Sequence, residues 1–111
     1  MDIFLFLEVI KLLTMHSEDN VLTAKLSGEL DHHRCQEIRK KIAARAESER
    51  PKVLVLDFSS VGFMDSSGVG LVMGRYRQIS LLGGRLSLVN VPEAILRVFR
   101  LSGLESLGVL G

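Results

Sequence analysis

The chain has 111 residues, 47% of them apolar and 24% charged, and its 14 basic and 13 acidic side chains leave a formal charge of +1. This length suits one domain with one core, while the near-neutral charge, 5% aromatic residues and absence of Trp argue against nucleic-acid binding, which needs a basic surface or stacking platforms. The single cysteine, Cys35, cannot form an internal disulfide or hold zinc alone, so we expect a cytoplasmic protein.

The N-terminal segment, up to Leu13, is mostly apolar. A signal peptide would open with basic residues, but Asp2 comes first here; a membrane span needs ~20 apolar residues, and Glu8 and Lys11 interrupt this run. We therefore expect residues 1–8 to form an extension that leads into an edge strand. Docking of Ile3 to Leu7 on a partner or a membrane surface is the alternative.

A β-hairpin is predicted next. Residues Val21 to Leu26 alternate between apolar and polar side chains, as expected of a strand with one solvent-exposed face. The polar segment His16 to Asn20 is typical of a turn. We therefore expect Val9 to Met15 to be the first strand of the hairpin.

A helix and a central strand follow the hairpin. Asp31 is a favourable N-cap residue, and apolar residues follow it at helical spacing, namely Cys35, Ile38 and Ile42. The segment Arg45 to Pro51 is predicted to be a charged linker. Lys52 to Phe58 is almost continuously apolar, which is typical of a strand that is buried on both faces in the middle of a sheet.

The second half of the chain repeats this alternation. After Ser66 and Ser67, apolar residues recur at helical spacing and predict a helix that ends at Gly83 and Gly84. These apolar residues are Val69, Val72, Met73, Tyr76 and Ile79. A strand is predicted over Arg85 to Val89. Pro92 then fits the first turn of a third helix that stops at Ser102 and Gly103, with an apolar face made of Ile95, Leu96, Phe99 and Leu101. Strands that alternate with helices across short loops predict an α/β fold.

The segment Phe63 to Gly70 places two hydroxyls, Ser66 and Ser67, where a strand passes into a helix. Simple helix capping is one interpretation. The other is phosphorylation: a serine at such a corner is exposed, and Gly68 and Gly70 leave room for the backbone of another protein.

A phosphate on Ser66 would add about −1.5 to −2 charge beside Asp65 and near Asp31. At ~6 Å and an effective dielectric constant of ~20, two unit charges repel by about 3 kcal/mol, and each 1.4 kcal/mol changes an affinity about tenfold. One phosphate is therefore sufficient to release a binding partner.

Catalytic and metal-binding interpretations are weaker. A serine hydrolase could use Ser66 with His32 or His33 as base, but the GxSxG nucleophile motif is absent. The adjacent histidines do not share a helix face, so we expect solvent-facing side chains in the first turn and no metal site. Cys35 shares the apolar stripe, which favours plain packing, and the glycine pairs lack the lysine and spacing of a phosphate-binding loop.

Four segments together resemble the anti-sigma factor antagonists of the STAS family, in particular those of sporulation. They are Gly28-Glu29-Leu30-Asp31-His32-His33, then Phe63-Met64-Asp65-Ser66-Ser67-Gly68-Val69-Gly70, then Met73-Gly74-Arg75-Tyr76-Arg77-Gln78-Ile79, and finally Phe99 with Ser102-Gly103-Leu104. The resemblance covers roughly Val9 to Leu104. It implies a mixed sheet of four to five strands flanked by helices, in a single domain without catalytic activity and without a cofactor.

The resemblance also implies a switch. Family members bind an anti-sigma factor that is also an ATP-dependent serine kinase, and thereby release a sigma factor; phosphorylation turns them off and a PP2C-type phosphatase resets them. By position, Ser66 would be the phosphoacceptor and Asp31 would contact the kinase, whereas Asp65, Ser67 and Gly68 would shape the corner on which it docks. The chain is expected to act as a monomer.

The chain departs from the family pattern at both ends. Family members usually continue past Ser-Gly-Leu with a strand and a helix, whereas here the sequence runs only from Glu105 to Gly111. We therefore expect a STAS domain over residues 9–111 with its C-terminal helix shortened or absent. A STAS module of a general-stress signalling complex, with a different kinase, is the alternative function within the same fold.

Overall fold

A four-stranded mixed sheet and three α-helices make up the computed structural model, which describes Asp2, Ile3 and residues 12–110. The strands are β1 (Leu13–Glu18), β2 (Val21–Leu30), β3 (Val53–Met64) and β4 (Arg85–Val89); the helices are α1 (His32–Glu49), α2 (Ser66–Leu81) and α3 (Glu93–Leu101), followed by a 3₁₀ helix (Leu104–Leu107). The sheet order is β1-β2-β3-β4, antiparallel between β1 and β2 and parallel elsewhere. The predicted α/β fold and mixed sheet are confirmed. None of the helices in these ranges has the length and apolar character needed to cross a bilayer.

The hairpin differs from its prediction in the position of the turn. Strand β1 continues to Glu18, and the turn is only Asp19 and Asn20, both in the left-handed region with φ of 51° and 65°. Two such residues suit the tight turn whose twist matches the flanking strands. The polar segment His16 to Glu18 is therefore strand, because an edge strand exposes polar side chains. Most of the predicted extension, and residues 9–11 of the predicted first strand, lie outside the described residues.

Helix α1 is longer than predicted, since the segment Arg45 to Glu49 is helical rather than a linker. Ala46 is fully buried and extends the stripe of Cys35, Ile38 and Ile42 by one turn. Glu49 accepts a hydrogen bond from Arg45 Nε at 2.6 Å and another from the Ser17 hydroxyl on β1. Packing and these contacts hold the last turn in the helix.

Strand β3 is also longer than predicted. It runs past Phe58 to Met64 because β2 offers backbone partners as far as Leu30, through two register shifts that accommodate extra residues on β3. Such bulges bend a strand without ending it. Strand β3 pairs with β2 on one side and β4 on the other, as predicted for a central strand.

The core lies between the sheet and the helices. Phe58 and Phe99 are fully buried, with ring centroids 5.4 Å apart in an edge-to-face arrangement. Ile95 is buried as predicted, but the prediction for Leu101 is wrong: 90% of this residue is exposed, because it ends α3 on the face away from the sheet.

Candidate functional site

The two parallel central strands end side by side and each leads directly into a helix. Leu30 of β2 pairs with Met64 of β3, and the next residues, Asp31 and Asp65, are the N-caps of α1 and α2. The Asp65 amide donates a hydrogen bond to the Leu30 carbonyl at 3.3 Å. The starts of both helices therefore lie together at the carboxyl edge of the sheet, where α/β proteins commonly place their sites.

Both aspartates cap their helices through their side chains. Asp31 Oδ1 accepts from the Arg34 amide at 2.9 Å, and Asp65 Oδ1 accepts from the Ser67 amide at 2.8 Å. The cap predicted at Asp31 is confirmed. The cap of α2 is Asp65, so Ser66 and Ser67 follow the cap and do not provide it.

Ser66 is the first residue of α2 and is exposed. Ser67 is partly buried, and its hydroxyl lies 3.4 Å from Nδ1 of His32 on α1. The other ring nitrogen of His32 lies 3.2 Å from the Gln36 amide. The hydroxyl of Ser66 is thus open to an approaching enzyme, whereas that of Ser67 is engaged between the helices.

Gly68 is buried against the end of β3. A Cβ at this position would lie 2.2 Å from Met64 Cγ, closer than non-bonded atoms approach. The glycine therefore lets the first turn of α2 lie directly on the strand that leads into it. The predicted site residues Asp65, Ser66, Ser67 and Gly68 form one corner, with Asp31 on the neighbouring strand end.

Cys35 lies beneath this corner. Burial, followed by the negative charges of Asp65 and Asp31, raises the pKa of its thiol to about 11. The side chain is buried, as predicted for a packing residue.

The raised pKa of Cys35 predicts an alkaline loss of stability. An ordinary thiol has a pKa of 9.0, so between pH 9.0 and about 11 the unfolded chain loses this proton while the folded chain keeps it. The free energy of unfolding should therefore fall as pH rises through that window. Denaturant unfolding at several pH values in this window should show a steeper fall in the free energy of unfolding for the parent chain than for Cys35→Ala. Equal slopes would contradict a raised pKa at Cys35.

The cap at Asp65 has a measurable effect on stability. Asp65→Ala leaves the Ser67 amide without its acceptor, which should lower the free energy of unfolding by about 1 kcal/mol. Asp65→Asn retains a capping oxygen and should lose less. Thermal unfolding of the two variants separates the cap from the charge, and equal losses would assign the effect to the charge.

Metal and hydrolase chemistry find little support in the site. Within the described ranges no group of three or more His, Cys, Asp or Glu side chains is placed to hold a metal ion. His32 and His33 are exposed in the first turn of α1, as predicted. The hydroxyl that contacts His32 belongs to Ser67 rather than Ser66, and the second partner of this ring is an amide rather than a carboxylate.

Two residues near the site were not singled out in the sequence. Phe63 is 53% exposed at the end of β3, paired in register with Glu29, so an aromatic ring faces solvent close to Ser66. Arg75 is only 8% exposed on α2. Strand alternation around the buried Met64 could have identified the first; no local signal identifies the second, because its burial depends on the packing of α1 on α2.

Comparison with known proteins relates this chain to one domain family and to several antagonists of anti-sigma factors. The STAS domain family matches residues 13–108. The anti-sigma F factor antagonist of Lysinibacillus sphaericus is 42% identical over 80 residues, which cover 72% of this chain and 68% of that protein. That of Paenibacillus polymyxa is 36% identical over 90 residues, covering 81% and 77%. The anti-sigma-B factor antagonist of Bacillus subtilis is 29% identical over 89 residues, covering 80% of each chain.

Solved structures agree with the sequence relatives. The unphosphorylated form of the anti-sigma factor antagonist SpoIIAA superimposes with a TM-score of 0.80 at 34% identity, covering 89% of this chain and 85% of that one. The phosphorylated form of Bacillus SpoIIAA superimposes with a TM-score of 0.74 at 34% identity, covering 89% and 88%. The chain belongs to the STAS family, and within it is an anti-sigma factor antagonist of the SpoIIAA type.

Proposed function

We propose that the unphosphorylated chain binds an anti-sigma factor that is also a serine kinase, that this binding releases a sigma factor, and that phosphorylation of Ser66 ends it. The nucleotide, ADP or ATP, is held by the kinase, and a PP2C-type phosphatase restores the active form. The exchange takes place in the cytoplasm and serves sporulation. The observation that carries the proposal is the exposed hydroxyl of Ser66 at the start of α2, beside two capped helix ends.

A phosphate on Ser66 should affect the bound kinase rather than the fold of the antagonist. A phosphate at the start of α2 is favourable for the helix itself, because the unpaired amides and the macrodipole there attract negative charge. The same charge lies beside the carboxylate of Asp65, on a surface exposed to a partner. Phosphorylation should therefore leave the antagonist folded and repel the bound kinase.

Phosphate mapping tests the assignment of Ser66. After incubation with the kinase and Mg-ATP, peptide mass spectrometry should find one phosphate on Ser66. Ser66→Ala should remain unlabelled, while the matched variant Ser67→Ala should still carry its phosphate on Ser66. Phosphate confined to any other residue would reject the proposal.

Asp31 should contribute charge to the kinase-binding surface. It is partly exposed at the strand end next to the corner, and its carboxylate also lies 3.4 Å from the Arg34 guanidinium. Asp31→Asn keeps the capping oxygen and removes the charge, so the helix should remain while kinase affinity falls by about tenfold, the typical weight of one charged contact. Calorimetric titration would measure this, and unchanged affinity would remove Asp31 from the interface.

A general-stress antagonist is the second candidate, and its support is the similarity to the anti-sigma-B factor antagonist. Identity to the two anti-sigma F factor antagonists is higher, which favours sporulation. Pull-down with each type of kinase would distinguish them. Retention by the sporulation kinase alone is the expected result.

A further inference from the structure

Helices α1 and α2 run parallel and enclose a groove. Ser67 meets His32 at one end, and Gln78 Nε2 donates to the Ala43 carbonyl at 2.9 Å at the other. The groove has a volume of about 200 Å³ and its polar lining includes His32, Gln36 and Arg39; none of its lining residues is acidic. It is large enough for a small ion and offers donors rather than negative charge.

Arg75 is buried one helical turn from the residues that line this groove, and it forms no ion pair with any of the described residues. It follows Leu71, a lining residue, by one helical turn and is 8% exposed. Among the described residues, neither its Nε nor its Nη1 has a hydrogen-bond acceptor. Burial, and then the charge of Arg39, which also lines the groove, lower the pKa of Arg75. The charges of Arg39 and Arg75 therefore act on each other, and none of the residues that line the groove is acidic.

A guanidinium in this position is costly. Arginine remains charged in proteins, and burial of a charge is unfavourable unless it is paired and hydrogen-bonded. Buried donors without acceptors are rare enough in native proteins to need an explanation. An anion with oxygen acceptors would satisfy both the charge and the unpaired donors of Arg75.

We propose that the groove between α1 and α2 binds a small oxyanion through Arg39 and Arg75, supplied either as dissolved phosphate or as a carboxylate of a partner side chain. The groove begins at Ser67, one residue after Ser66, but anion binding in it does not require a phosphate on Ser66. An anion here would hold together the two helices whose first residues form the corner described above.

Thermal unfolding in phosphate, against sodium chloride at equal ionic strength, tests the proposal. Phosphate stabilises most proteins slightly by exclusion from their surfaces, so the comparison needs variants. The control variant Arg77→Gln removes an exposed arginine from the same helix. Both this variant and the parent chain should show a rise in the unfolding midpoint beyond the general effect of phosphate, because the anion binds the folded state. Arg75→Met should show only the general rise.

A second variant supplies the anion internally. Gln78 lies one turn beyond Arg75, and its Oε1 also has no hydrogen-bond partner among the described residues. Gln78→Glu removes the Nε2 donor to the Ala43 carbonyl, so its midpoint in chloride is not diagnostic, but the internal carboxylate should abolish the additional response to phosphate. If Gln78→Glu still showed that response, the binding would lie elsewhere and the proposal would be overturned.

Titrations followed by NMR identify the source of the anion. With inorganic phosphate as probe, the Nε–H signal of Arg75 should shift and saturate, and Arg39→Gln should weaken binding at least about tenfold, since a charged hydrogen bond is lost. Saturation by acetate but not by phosphate would identify a partner carboxylate as the ligand. No saturable shift with either probe would overturn the proposal.

Discussion

Ser66→Asp is expected to weaken binding to the anti-sigma factor kinase by about 100-fold. The substitution places one negative charge on an exposed corner, and repulsion of about 3 kcal/mol between this charge and a carboxylate of the kinase ~6 Å away corresponds to that factor. Calorimetric titration against the kinase with ADP present would measure it. The dianionic phosphate should act more strongly in the same direction.

Ser66→Ala is the matched control for this charge. It removes the hydroxyl without adding charge, so it should bind like the parent chain and resist inactivation by ATP. Because the cap of α2 is Asp65 rather than a serine, neither variant should disturb the helix start. Equal affinities of the alanine and aspartate variants would contradict the electrostatic mechanism while leaving the family assignment intact.

Phe99→Ala is expected to have the largest effect on stability. Phe99 is fully buried and packs edge-to-face on Phe58, so truncation removes apolar contacts and leaves a cavity. The free energy of unfolding should fall by about 3–5 kcal/mol, a large part of the total for a domain of this size. Chemical denaturation would measure the loss.

Leu101→Ala provides the control on the same helix. Because 90% of Leu101 is exposed, its truncation should change the free energy of unfolding by no more than about 0.5 kcal/mol. A comparable loss in both variants would mean that α3 is held by its exposed face, contrary to the structure.

Much of the fold could be predicted because local patterns and tertiary packing agree. Strand Arg85 to Val89 and the cap at Asp31 have the predicted positions. The end of β3 could not be predicted from its own residues, since Ser59, Ser60 and Gly62 do not favour a strand. Pairing with β2 keeps them in the sheet, and only the partner strand contains that information.

Part of the candidate site could also be predicted from the sequence, and part could not. The residues of the corner are adjacent in sequence, so their common location followed from the motif. That Asp31 would lie beside them required the parallel pairing of Leu30 with Met64. Arg75 lies in a segment noted for its resemblance, but its burial depends on the packing of α1 on α2, which a single helical pattern does not specify.

The hydrogen bond from the Asp65 amide to the Leu30 carbonyl links the two strand ends that carry the residues proposed to bind the kinase. Movement of one strand end should be transmitted to the other, because each is also fixed to the start of a helix by its capping aspartate. Phosphorylation of Ser66 should therefore change kinase binding without a rearrangement of the chain. The proposed removal of the phosphate by a phosphatase would then restore binding without a refolding step.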